Sequence, residues 1–429
     1  MLSWREVPGL VSDDECETLQ QLSKGKKCIE IGSWKGRTAA CMATVAEDVI
    51  AIDTFKASTE PLPLLGQHQE SFFTTLEEFS ENIKGYKNIN PCVGESKYFA
   101  DLLPDGEFDL LFIDGMHTFP NVYEDVTLYI SKLKDDGIIA FHDYFGNGLD
   151  GVTKTVDILF GKECIQQITR SLCWVYKRDF KKVGLATILT DGYVSYFTHF
   201  VNSIKRNCPE IMSLPMKIIT GRFNEDLPLC SEEEKRNYIR QNGFSSGLSE
   251  ANKSKIKRMF PNAEFKDIGL VERKANGLIP NPHYWQIESF NLSEYDKLIY
   301  VDSDILCLGD MTELLSFNYD MGVWGNGGYD YNYGVFTVGK KFLNRETYES
   351  ILKLDPKEQN HHGCQDMLID YFRDHMTILP KKFNYMSTWL TMNPLPEDIV
   401  LLHYIYKPDT QFGRERLPHH AIKLWEEYE

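Results

Sequence analysis

Short apolar segments alternate with helical patterns along the first 180 residues. Apolar runs that fit buried strands lie at 27–31, 49–52, 89–93, 108–113 and 137–141. Helical patterns lie at 12–22, 37–46 and 119–133, and the first opens with Ser12 and Glu15 in the spacing of a capping box. This alternation predicts a mostly parallel sheet with helices on both faces.

The alternation is interrupted near Arg178 and Lys182, and a second series of elements then begins. It has a strand at 183–189, a helix at 196–206 and a strand at 216–220. The charged segment 225–258 fits helices or loops, and strands resume at about Leu298. We therefore predict an α/β chain of two domains, 1–180 and 181–429, as the length of 429 residues also favours.

Composition narrows the range of functions. The formal net charge of −17 argues against a nucleic-acid or anionic-membrane partner, because those contacts need clustered Lys and Arg. The ten cysteines form no CxxC pair, which disfavours a zinc site and favours a reduced, cytoplasmic location. Residues 1–10 lack the order of a signal peptide, and no apolar run is long enough for a transmembrane segment. A lipid-linked substrate and a homo-oligomer both stay open.

A glycine turn follows the first strand. The segment EIGSWKGRT at 30–38 places Gly32 and Gly36 where glycine permits a positive φ and a close approach of the backbone to a ligand. Asp53 ends the second strand, about twenty residues further on, where a carboxylate can accept ribose hydroxyls. Turn and acid together indicate a nucleoside-type ligand, and the Glu-x-Gly-x-x-x-Gly spacing disfavours NAD.

Four segments of the first domain resemble class I S-adenosylmethionine-dependent methyltransferases, in the subgroup with a Phe-Ile-Asp-Gly-x-His signature. They are EIGSWKGRTA, AIDTF, FDLLFIDGMH and LKDDGIIAFHDY, in the family's order. The resemblance covers about 26–177 and implies a Rossmann-like fold with S-adenosylmethionine as cofactor. The cofactor-binding residues that it implies are Glu30, Gly32, Ser33 and Gly36 along the methionine part, Asp53 on the ribose, Glu95 and Ser96 beside the adenine, and Asp114.

Two adjacent strands of the first domain end in acids and histidines, at Asp114 and His117 and at His142 and Asp143. Ligands bind at this edge of an open α/β sheet, and methyl transfer to oxygen needs a base or a metal. The resemblance to catechol-type O-methyltransferases implies Mg²⁺ on Asp114 and Asp143, with His117 or His142 as base. The equally weighted alternative is that no metal binds and both histidines satisfy loop carbonyls.

A long polar segment, 56–87, separates the second and third strands of the first domain. Its residues 61–73 are mixed in polarity and could form a lid over the cofactor. A packed surface loop has the same pattern, and we expect the loop.

The second domain carries an apolar run that ends in two acids. Residues 298–306 read LIYVDSDIL, so Asp302 and Asp304 close a buried strand. Unpaired charges there cost several kcal/mol, and a divalent cation is the natural partner of closely spaced oxygen ligands. The alternative is a pair of solvated loop acids, which arises by chance in a chain rich in Asp.

Two other strand ends of this domain carry polar groups. The run VGLATILTDGY at 183–193 ends with Asp191 and Tyr193, which could read and stack a nucleobase. The run IVLLHYIYKP at 399–408 places His403 and Lys407 after a strand. A neutral imidazole is an acceptable third metal ligand, and an ammonium group can offset the charge of a leaving phosphate. A lone buried histidine is more often structural, but the two acids favour the ligand.

These segments resemble the family 8 retaining glycosyltransferases, which include glycogenin and bacterial galactosyltransferases. The matching segments are LTDGY, KLIYVDSDIL, YNYGVF, CQDMLIDYF and HYIYKP, from about 183 to 408. The resemblance implies a GT-A fold, a UDP-sugar donor and Mn²⁺ held by Asp302, Asp304 and His403. Its other implied site residues are Thr190, Asp191, Tyr193 and Ser303 at the donor, Asn332 at the donor sugar or acceptor, Gln365 near the anomeric carbon, Asp366 on the donor sugar hydroxyls and Lys407 at the diphosphate.

Three residues depart from the family's pattern. Tyr333 stands where the family has a small residue, Cys364 stands where an Asp often precedes the glutamine, and Gln286 occupies what looks like a basic position. The spacing of His403 and Lys407 is also uncommon. These departures bear on the preference for sugar and acceptor.

The sequence therefore predicts a bifunctional enzyme of glycan biosynthesis. It would transfer a methyl group to a sugar hydroxyl and, in its second domain, a sugar to a glycan or glycolipid acceptor. One alternative keeps the methyltransferase and makes the second domain a non-catalytic module that binds a glycan or a nucleotide sugar. Another makes the first domain a scaffold without a cofactor, and a nucleic-acid methyltransferase fits the charge poorly.

Overall fold

The computed structural model describes residues 2–56, 75–145, 150–223, 247–271, 282–325, 331–354, 364–391 and 393–429. The chain divides into two compact units between Lys181 and Lys182. The segment 61–73, for which a lid or a surface loop was considered, lies outside the described residues, and so does most of the charged segment that begins at Glu225.

The first unit is built on one sheet, whose described strands run in the order β3-β2-β1-β4-β5-β7-β6. They are β1 (Lys27–Ile31), β2 (Asp48–Asp53), β3 (Ile89–Val93), β4 (Phe108–Ile113), β5 (Leu133–Phe141), β6 (Gln167–Thr169) and β7 (Leu172–Tyr176). The pairs from β3 to β5 are parallel, and β7 joins β5 antiparallel. The α-helices are Asp13–Ser23, Arg37–Ala43, Leu76–Ile83, Lys97–Ala100, Phe119–Tyr129 and Asp150–Leu159.

The second unit has a larger and a smaller sheet in the described residues. The larger runs β10-β9-β8-β11-β14-β13-β15 and the smaller runs β12-β17-β16. The strands are β8 (Val183–Ile188), β9 (Met216–Phe223), β10 (Ala263–Val271), β11 (Lys297–Val301), β12 (Ile305–Cys307), β13 (Met321–Gly325), β14 (Tyr331–Gly339), β15 (Met376–Ile378), β16 (Tyr385–Met386) and β17 (Leu401–His403). The α-helices are Val194–Asn207, Glu250–Met259, Glu313–Ser316, Arg345–Leu352, Gln365–Phe372, Gln411–Arg416 and His419–Glu426.

The two seven-stranded sheets, one in each unit, contain apolar strands whose burial follows from the sequence pattern. The central strand β1 has a continuously buried run from Cys28 to Ile31, as a parallel strand covered on both faces requires. In the second unit, β11 is buried from Leu298 to Val301 in the same way. The predicted fold class, two α/β domains, is confirmed.

Local signals predicted several element ends. Ser12 caps the helix Asp13–Ser23, its Oγ accepting from Glu15 N at 3.4 Å while the Glu15 carboxylate accepts from Ser12 N at 2.9 Å. The expectation that strands resume only at about Leu298 is wrong, because β10 pairs in parallel with β9. β10 lies at the sheet edge, so exposed polar residues such as Glu264 and Asp267 interrupt the apolar run that would have revealed it.

The boundary between the fifth helix and β5 also differs from the prediction. The helix stops at Tyr129, one 3-10 turn follows, and Leu133 already belongs to the strand. Within the described ranges, no helix combines the length and the apolar character needed to cross a membrane.

Candidate functional sites

The carboxyl ends of the parallel strands of the first unit are tied together by backbone hydrogen bonds. Gly32 N donates to Ile52 O at 2.9 Å, and Asp114 N donates to Ile31 O at 2.8 Å. Gly32 has a φ of 92°, and a Cβ at this position would lie 2.0 Å from Asp114 O. Only glycine permits this approach, so the turn after β1 and the acid after β4 are held side by side.

Glu30 and Asp53 lie at the ends of β1 and β2. Glu30 is fully buried, its carboxylate accepts from Ser33 Oγ at 2.6 Å, and burial raises its pKa to about 8. Asp53 accepts from the backbone N–H of Trp34 at 2.7 Å and of Phe55 at 2.6 Å. Burial raises the pKa of Asp53 above its ordinary value. The two acids therefore bind neighbouring residues of the glycine turn, Ser33 and Trp34, next to Gly36, which has a φ of 87°.

Glu95 and Ser96 follow β3, where the resemblance places the adenine. Ser96 Oγ donates to Asp125 Oδ1 at 2.5 Å, and Glu95 pairs with Lys97 at 2.5 Å on the surface. Asp125 is buried, which raises its pKa to about 7. The sequence analysis did not single out Asp125, because one acid inside a helical pattern gives no local signal of burial.

Asp114, His117 and Asp143 bring donor atoms together within 4.8 Å of one another. His117 Nε2 lies 3.0 Å from Asp143 Oδ2 and 3.7 Å from Asp114 Oδ1. Burial opposes the charged imidazole, but the two carboxylates raise the pKa of His117 to about 10. Asp143 has a φ of 60°, a left-handed conformation that costs a non-glycine residue roughly 1–3 kcal/mol and that clusters at functional sites.

His142 lies deeper than His117 and faces acids on both sides. Its Nδ1 lies 3.1 Å from Asp143 Oδ2 and 3.3 Å from Asp114 Oδ1, and its Nε2 lies 3.6 Å from Glu15 Oε2. Burial opposes the charged ring, but Asp114 and its neighbours raise the pKa of His142 to about 12. All four predicted residues of this cluster, the two acids and the two histidines, therefore meet in one place.

Glu15 is a site residue that sequence reasoning missed. Its carboxylate is buried and accepts from Ser171 N at 3.0 Å and from Ser171 Oγ at 2.9 Å. Burial works against the anion, yet hydrogen bonds from His142, Ser12 and Ser171 hold the pKa of Glu15 well below its usual range. Its only local signal was the capping box, which gave Glu15 a structural role and hid its contact with His142.

The acids of the first unit fit a hard divalent cation. Carboxylate oxygens such as those of Asp114 and Asp143, which lie within 4.8 Å of each other, are the donors that Mg²⁺ prefers, whereas an imidazole is a poor ligand for Mg²⁺. The same carboxylates are also neutralised by His117 and His142 in the present arrangement. Both predicted alternatives, a cation and a metal-free cluster, are therefore chemically consistent with these residues.

In the second unit, Asp302 and Asp304 lie between β11 and β12 and meet His403 at the end of β17. His403 Nε2 is 3.5 Å from Asp304 Oδ1 and 3.8 Å from Asp302 Oδ2, and the three donor atoms lie within 4.8 Å of one another. The register that pairs Ile305 with His403 fixes this approach.

Lys407 and Tyr300 complete the charge pattern around the two acids. The Lys407 ammonium contacts Asp304 Oδ2 and lies 4.9 Å from the centre of the Tyr193 ring. Burial opposes its charge, but Asp304 raises the pKa of Lys407 to about 12. Tyr300 donates its hydroxyl to Asp302 Oδ1 at 2.7 Å. Asp304 therefore has a cationic partner in Lys407 and Asp302 a neutral donor in Tyr300, in addition to the His403 ring that lies beside both.

A cleft opens beside these groups. Its described lining residues are Ile188, Thr190, Tyr193, Gln286, Tyr300, Asp302, Ser303, Asp304, Tyr333, Gly334, Cys364, Gln365 and Lys407. Most residues that the resemblance implies for the donor are thus among them. Asp191 is not, and its Oδ1 instead accepts from Ser249 N at 2.8 Å and Asn252 Nδ2 at 2.8 Å at the start of the helix Glu250–Met259. Asn332, Asp366 and His403 also lie outside this group of lining residues, and His403 reaches the site through its contact with Asp304.

The three residues that depart from the family's pattern contact one another. Gln286 Nε2 donates to Tyr333 O at 2.8 Å, and Cys364 Sγ donates to Gln286 Oε1 at 3.3 Å. The Tyr333 side chain is fully buried and its hydroxyl contacts Met376 Sδ at 3.0 Å. Gln286 and Cys364 are therefore neutral groups at two positions where the resemblance implies charged ones.

The donor set of the second unit fits Mn²⁺. Two carboxylates and one imidazole, with Asp304 and His403 buried, form a mixed oxygen and nitrogen site of the kind that Mn²⁺ accepts. Lys407 occupies one oxygen of Asp304, so a cation would share that carboxylate with the ammonium group.

Comparison with known proteins agrees with both halves of this description. The family model described as a methyltransferase domain matches residues 29–144. The glycosyltransferase GlyE of Streptococcus pneumoniae serotype 4 is 29% identical in an alignment 161 residues long that covers 31% of this chain and 37% of GlyE. The glycosyltransferase GlyF of the same organism is 26% identical in an alignment 145 residues long that covers 29% of this chain and 36% of GlyF. The chain resembles a methyltransferase joined to a glycosyltransferase.

The matches are partial. The chain covers less than two fifths of the length of either curated relative. The crystal structure of GlyE aligns with a TM-score of 0.39 and 19% identity, covering 58% of this chain and 60% of that one. The predicted resemblance to a methyltransferase domain and to glycosyltransferases is confirmed.

Proposed function

We propose that the chain is a bifunctional transferase of glycan biosynthesis. Its second unit would transfer a sugar from a UDP-sugar in a reaction that needs Mn²⁺, and its first unit would transfer a methyl group from S-adenosylmethionine to a sugar hydroxyl. The observation that carries the proposal is the convergence of the donor atoms of Asp302, Asp304 and His403 next to Lys407, with both acids and Lys407 lining one cleft. The partial coverage of the relatives makes every statement about substrates part of this proposal.

Different residues in and beside the cleft would contact the nucleobase, the diphosphate and the sugar of the donor. Tyr193 and Thr190 line the end next to β8, where an aromatic ring can stack a nucleobase. Asp302, Asp304 and His403 would hold Mn²⁺, which when bound neutralises charge on the donor diphosphate. Lys407 keeps its positive charge and offsets the charge that develops on the leaving phosphate. Gln365 lines the cleft and offers an amide to the donor sugar.

The stereochemical outcome follows from the resemblance. Retention by front-face attack needs stabilised leaving-group charge more than a strong protein nucleophile, and Lys407 supplies that charge. Asp366 is proposed for the donor sugar hydroxyls on the same basis. We expect UDP release and an α-glycoside as product.

In the first unit, the fixed glycine turn and Asp53 support a site for S-adenosylmethionine. The cofactor would supply the methyl group to an acceptor hydroxyl held near Asp114 and Asp143. A histidine would accept the proton of that hydroxyl in its neutral form. Asp114 and Asp143 keep both rings protonated as long as no cation offsets the charge of the two carboxylates. Of the two histidines, His117 is the more open, with 17% of its side chain exposed against 8% for His142. Mg²⁺, when bound by Asp114 and Asp143, would lower the pKa of the acceptor hydroxyl.

A thermal-shift panel tests both units in one experiment. A ligand that binds only the folded state raises the melting temperature. UDP-sugars should stabilise the chain when Mn²⁺ is present, and S-adenosylhomocysteine should stabilise it separately. A panel in which neither ligand class shifts the melting temperature would refute the proposal.

A chelator tests the metal of the first unit. Loss of methyl transfer in EDTA would support a metal on Asp114 and Asp143, and full activity in EDTA would refute it.

A second candidate has one observation in its favour. The neutral contacts among Gln286, Tyr333 and Cys364 fill one side of the cleft, which suits a module that binds a nucleotide sugar without turning it over. Release of UDP from a UDP-sugar decides between a transferase and a binding module, because a binding module would release none.

The methyl acceptor tests whether both units act on one glycan. If they do, the glycosylated product should be methylated faster than a free phenol.

A further inference from the structure

We infer that Asn384 is a positioning residue that decides which nitrogen of His403 carries the proton. Asn332 and Gly334 in turn hold Asn384 and the imidazole ring. The inference rests on the proposed metal-dependent function, because it concerns the ligand His403, and it gives Asn332 a different task from contact with a sugar.

The two nitrogens of His403 face different groups. Nδ1 lies 3.0 Å from Asn384 Oδ1, whereas Nε2 lies 3.5 Å from Asp304 Oδ1. Asn384 is fully buried and His403 is 5% exposed, so water does not compete for either contact. Whether Nε2 of the neutral ring carries a hydrogen therefore depends on whether Nδ1 donates one to Asn384 or not.

The orientation of both side-chain amides follows from backbone groups that have only one possible role. Gly334 N–H donates to Asn332 Oδ1 at 2.9 Å, which fixes the Asn332 amide. Asn384 Nδ2 lies 3.1 Å from the backbone oxygen of Asn332 and 2.8 Å from Asn332 Oδ1. A carbonyl oxygen only accepts, so the NH₂ group of Asn384 must face Asn332. Its oxygen must then face His403.

The tautomer of His403 follows from this arrangement. Because Asn384 Oδ1 can only accept, Nδ1 of His403 carries the hydrogen and donates it. Nε2 of the neutral ring then keeps its lone pair and directs it at Asp302 and Asp304, the state that a metal ligand needs. The opposite tautomer would set two lone pairs against each other at Asn384.

Gly334 contributes the space in which the ring lies. A Cβ at Gly334 would lie 2.3 Å from His403 Cε1 and 2.7 Å from Nδ1. The Asn-x-Gly segment of β14 therefore shapes the ligand His403 in two ways. Asn332 fixes the amide that orients the proton, and Gly334 leaves room for the ring.

Nitrogen NMR on the full-length, metal-free protein tests the tautomer directly. With ¹⁵N-labelled histidine, the pH is raised until one nitrogen of the His403 ring loses its proton, and the signals should then show a protonated Nδ1 and an unprotonated Nε2. Their absence in His403→Gln assigns them. A protonated Nε2 with a bare Nδ1 would overturn the inference.

Mn²⁺ affinity, measured by calorimetry, tests the consequence. Asn384→Leu should weaken Mn²⁺ binding by roughly 10- to 100-fold, whereas Asn384→Asp keeps an acceptor for Nδ1–H and should stay within a few-fold of the wild type. The matched control is Asn207→Leu, which removes amide bonds to Cys307 O and Tyr428 in the same unit and should leave affinity unchanged. A purely structural role would harm both Asn384 variants equally.

The outcomes separate this inference from the proposed function. Unchanged Mn²⁺ affinity in Asn384→Leu would refute the positioning role. A wild-type protein that binds no Mn²⁺ would refute the proposed metal site, and the NMR tautomer would still decide the role of Asn384. The same NMR measurement decides it if Asn384→Leu does not fold.

Discussion

Asp302 and Asp304 are separated by one residue yet have opposite electrostatic surroundings. Although burial works against it, contacts with Lys407 and His403 hold the pKa of Asp304 well below its usual range. Burial and the charge of Asp304 instead raise the pKa of Asp302 to about 6, and its nearest donor is the neutral hydroxyl of Tyr300. The Asp304 carboxylate is thus held in its charged form, while Asp302 is the more exposed of the two acids that line the cleft, with 35% of its side chain accessible against 10% for Asp304.

Asp304→Asn should reduce Mn²⁺-dependent release of UDP by on the order of 100-fold or more, because it removes the anion that Lys407 and the cation share. UDP release is the measurement. Asp320→Asn is the control, since Asp320 is a surface acid that pairs with Lys341 at 2.8 Å. Full turnover by Asp304→Asn would contradict the assignment of this residue.

Gly334→Ala should reduce the free energy of Mn²⁺ binding by more than it reduces the free energy of unfolding. The new methyl group would meet the His403 ring at 2.3 Å, and overpacking of this kind costs roughly 1–3 kcal/mol. Calorimetry and urea unfolding give the two quantities. Gly309→Ala is the matched control, because its nearest contact would be an ordinary 3.4 Å. Equal Mn²⁺ affinity in Gly334→Ala and the wild type would show that the ring can move without loss.

Glu30→Gln should flatten the dependence of stability on pH. The folded protein keeps the proton of Glu30 up to about pH 8, whereas the unfolded chain releases it near its ordinary value of 4.5. Glu30 therefore lowers stability as pH rises between these values, by about 1.4 kcal/mol per pH unit, and Gln removes that loss. Melting temperatures from pH 5 to pH 8 test this. Parallel curves for Glu30→Gln and the wild type would disprove it, and the exposed Glu107→Gln should behave as the wild type does.

Glu15→Gln should destabilise the first unit at pH 7 by roughly 2–4 kcal/mol, since it removes a buried anion from His142 and Ser171. The pKa of Glu15 is depressed in the folded state, so its contribution is present above its ordinary value of 4.5 and is lost as pH falls further. The difference from wild type should thus shrink in acid. Urea unfolding measures it, with the exposed Glu17→Gln as control, and no difference at pH 7 would count against the role of Glu15.

Much of the fold could be predicted because its signals are local. Strand β4 has the predicted bounds, and the capping box at Ser12 lies where its spacing indicated. β10 was missed because an edge strand exposes polar residues, and Leu133 was assigned to a helix because a short apolar run does not separate the end of a helix from the start of a strand.

The candidate sites show the same division. Asp302, Asp304 and His403 could be grouped because each ends an apolar strand, and the structure brings them together, although their role as metal ligands stays a prediction. Glu15 and Asn384 could not be found, because each acts through residues far away in sequence. Glu15 contacts Ser171, and Asn384, directly before β16, contacts Asn332 in β14. Only the folded chain places such partners together.

Binding of UDP in the presence and absence of Mn²⁺ tests the central claim most directly. Calorimetry on the full-length protein should show UDP binding with Mn²⁺ and a large loss of affinity in EDTA, since the cation would link the diphosphate to Asp302, Asp304 and His403. UDP affinity that is the same with and without Mn²⁺, or no UDP binding in either condition, would contradict the account.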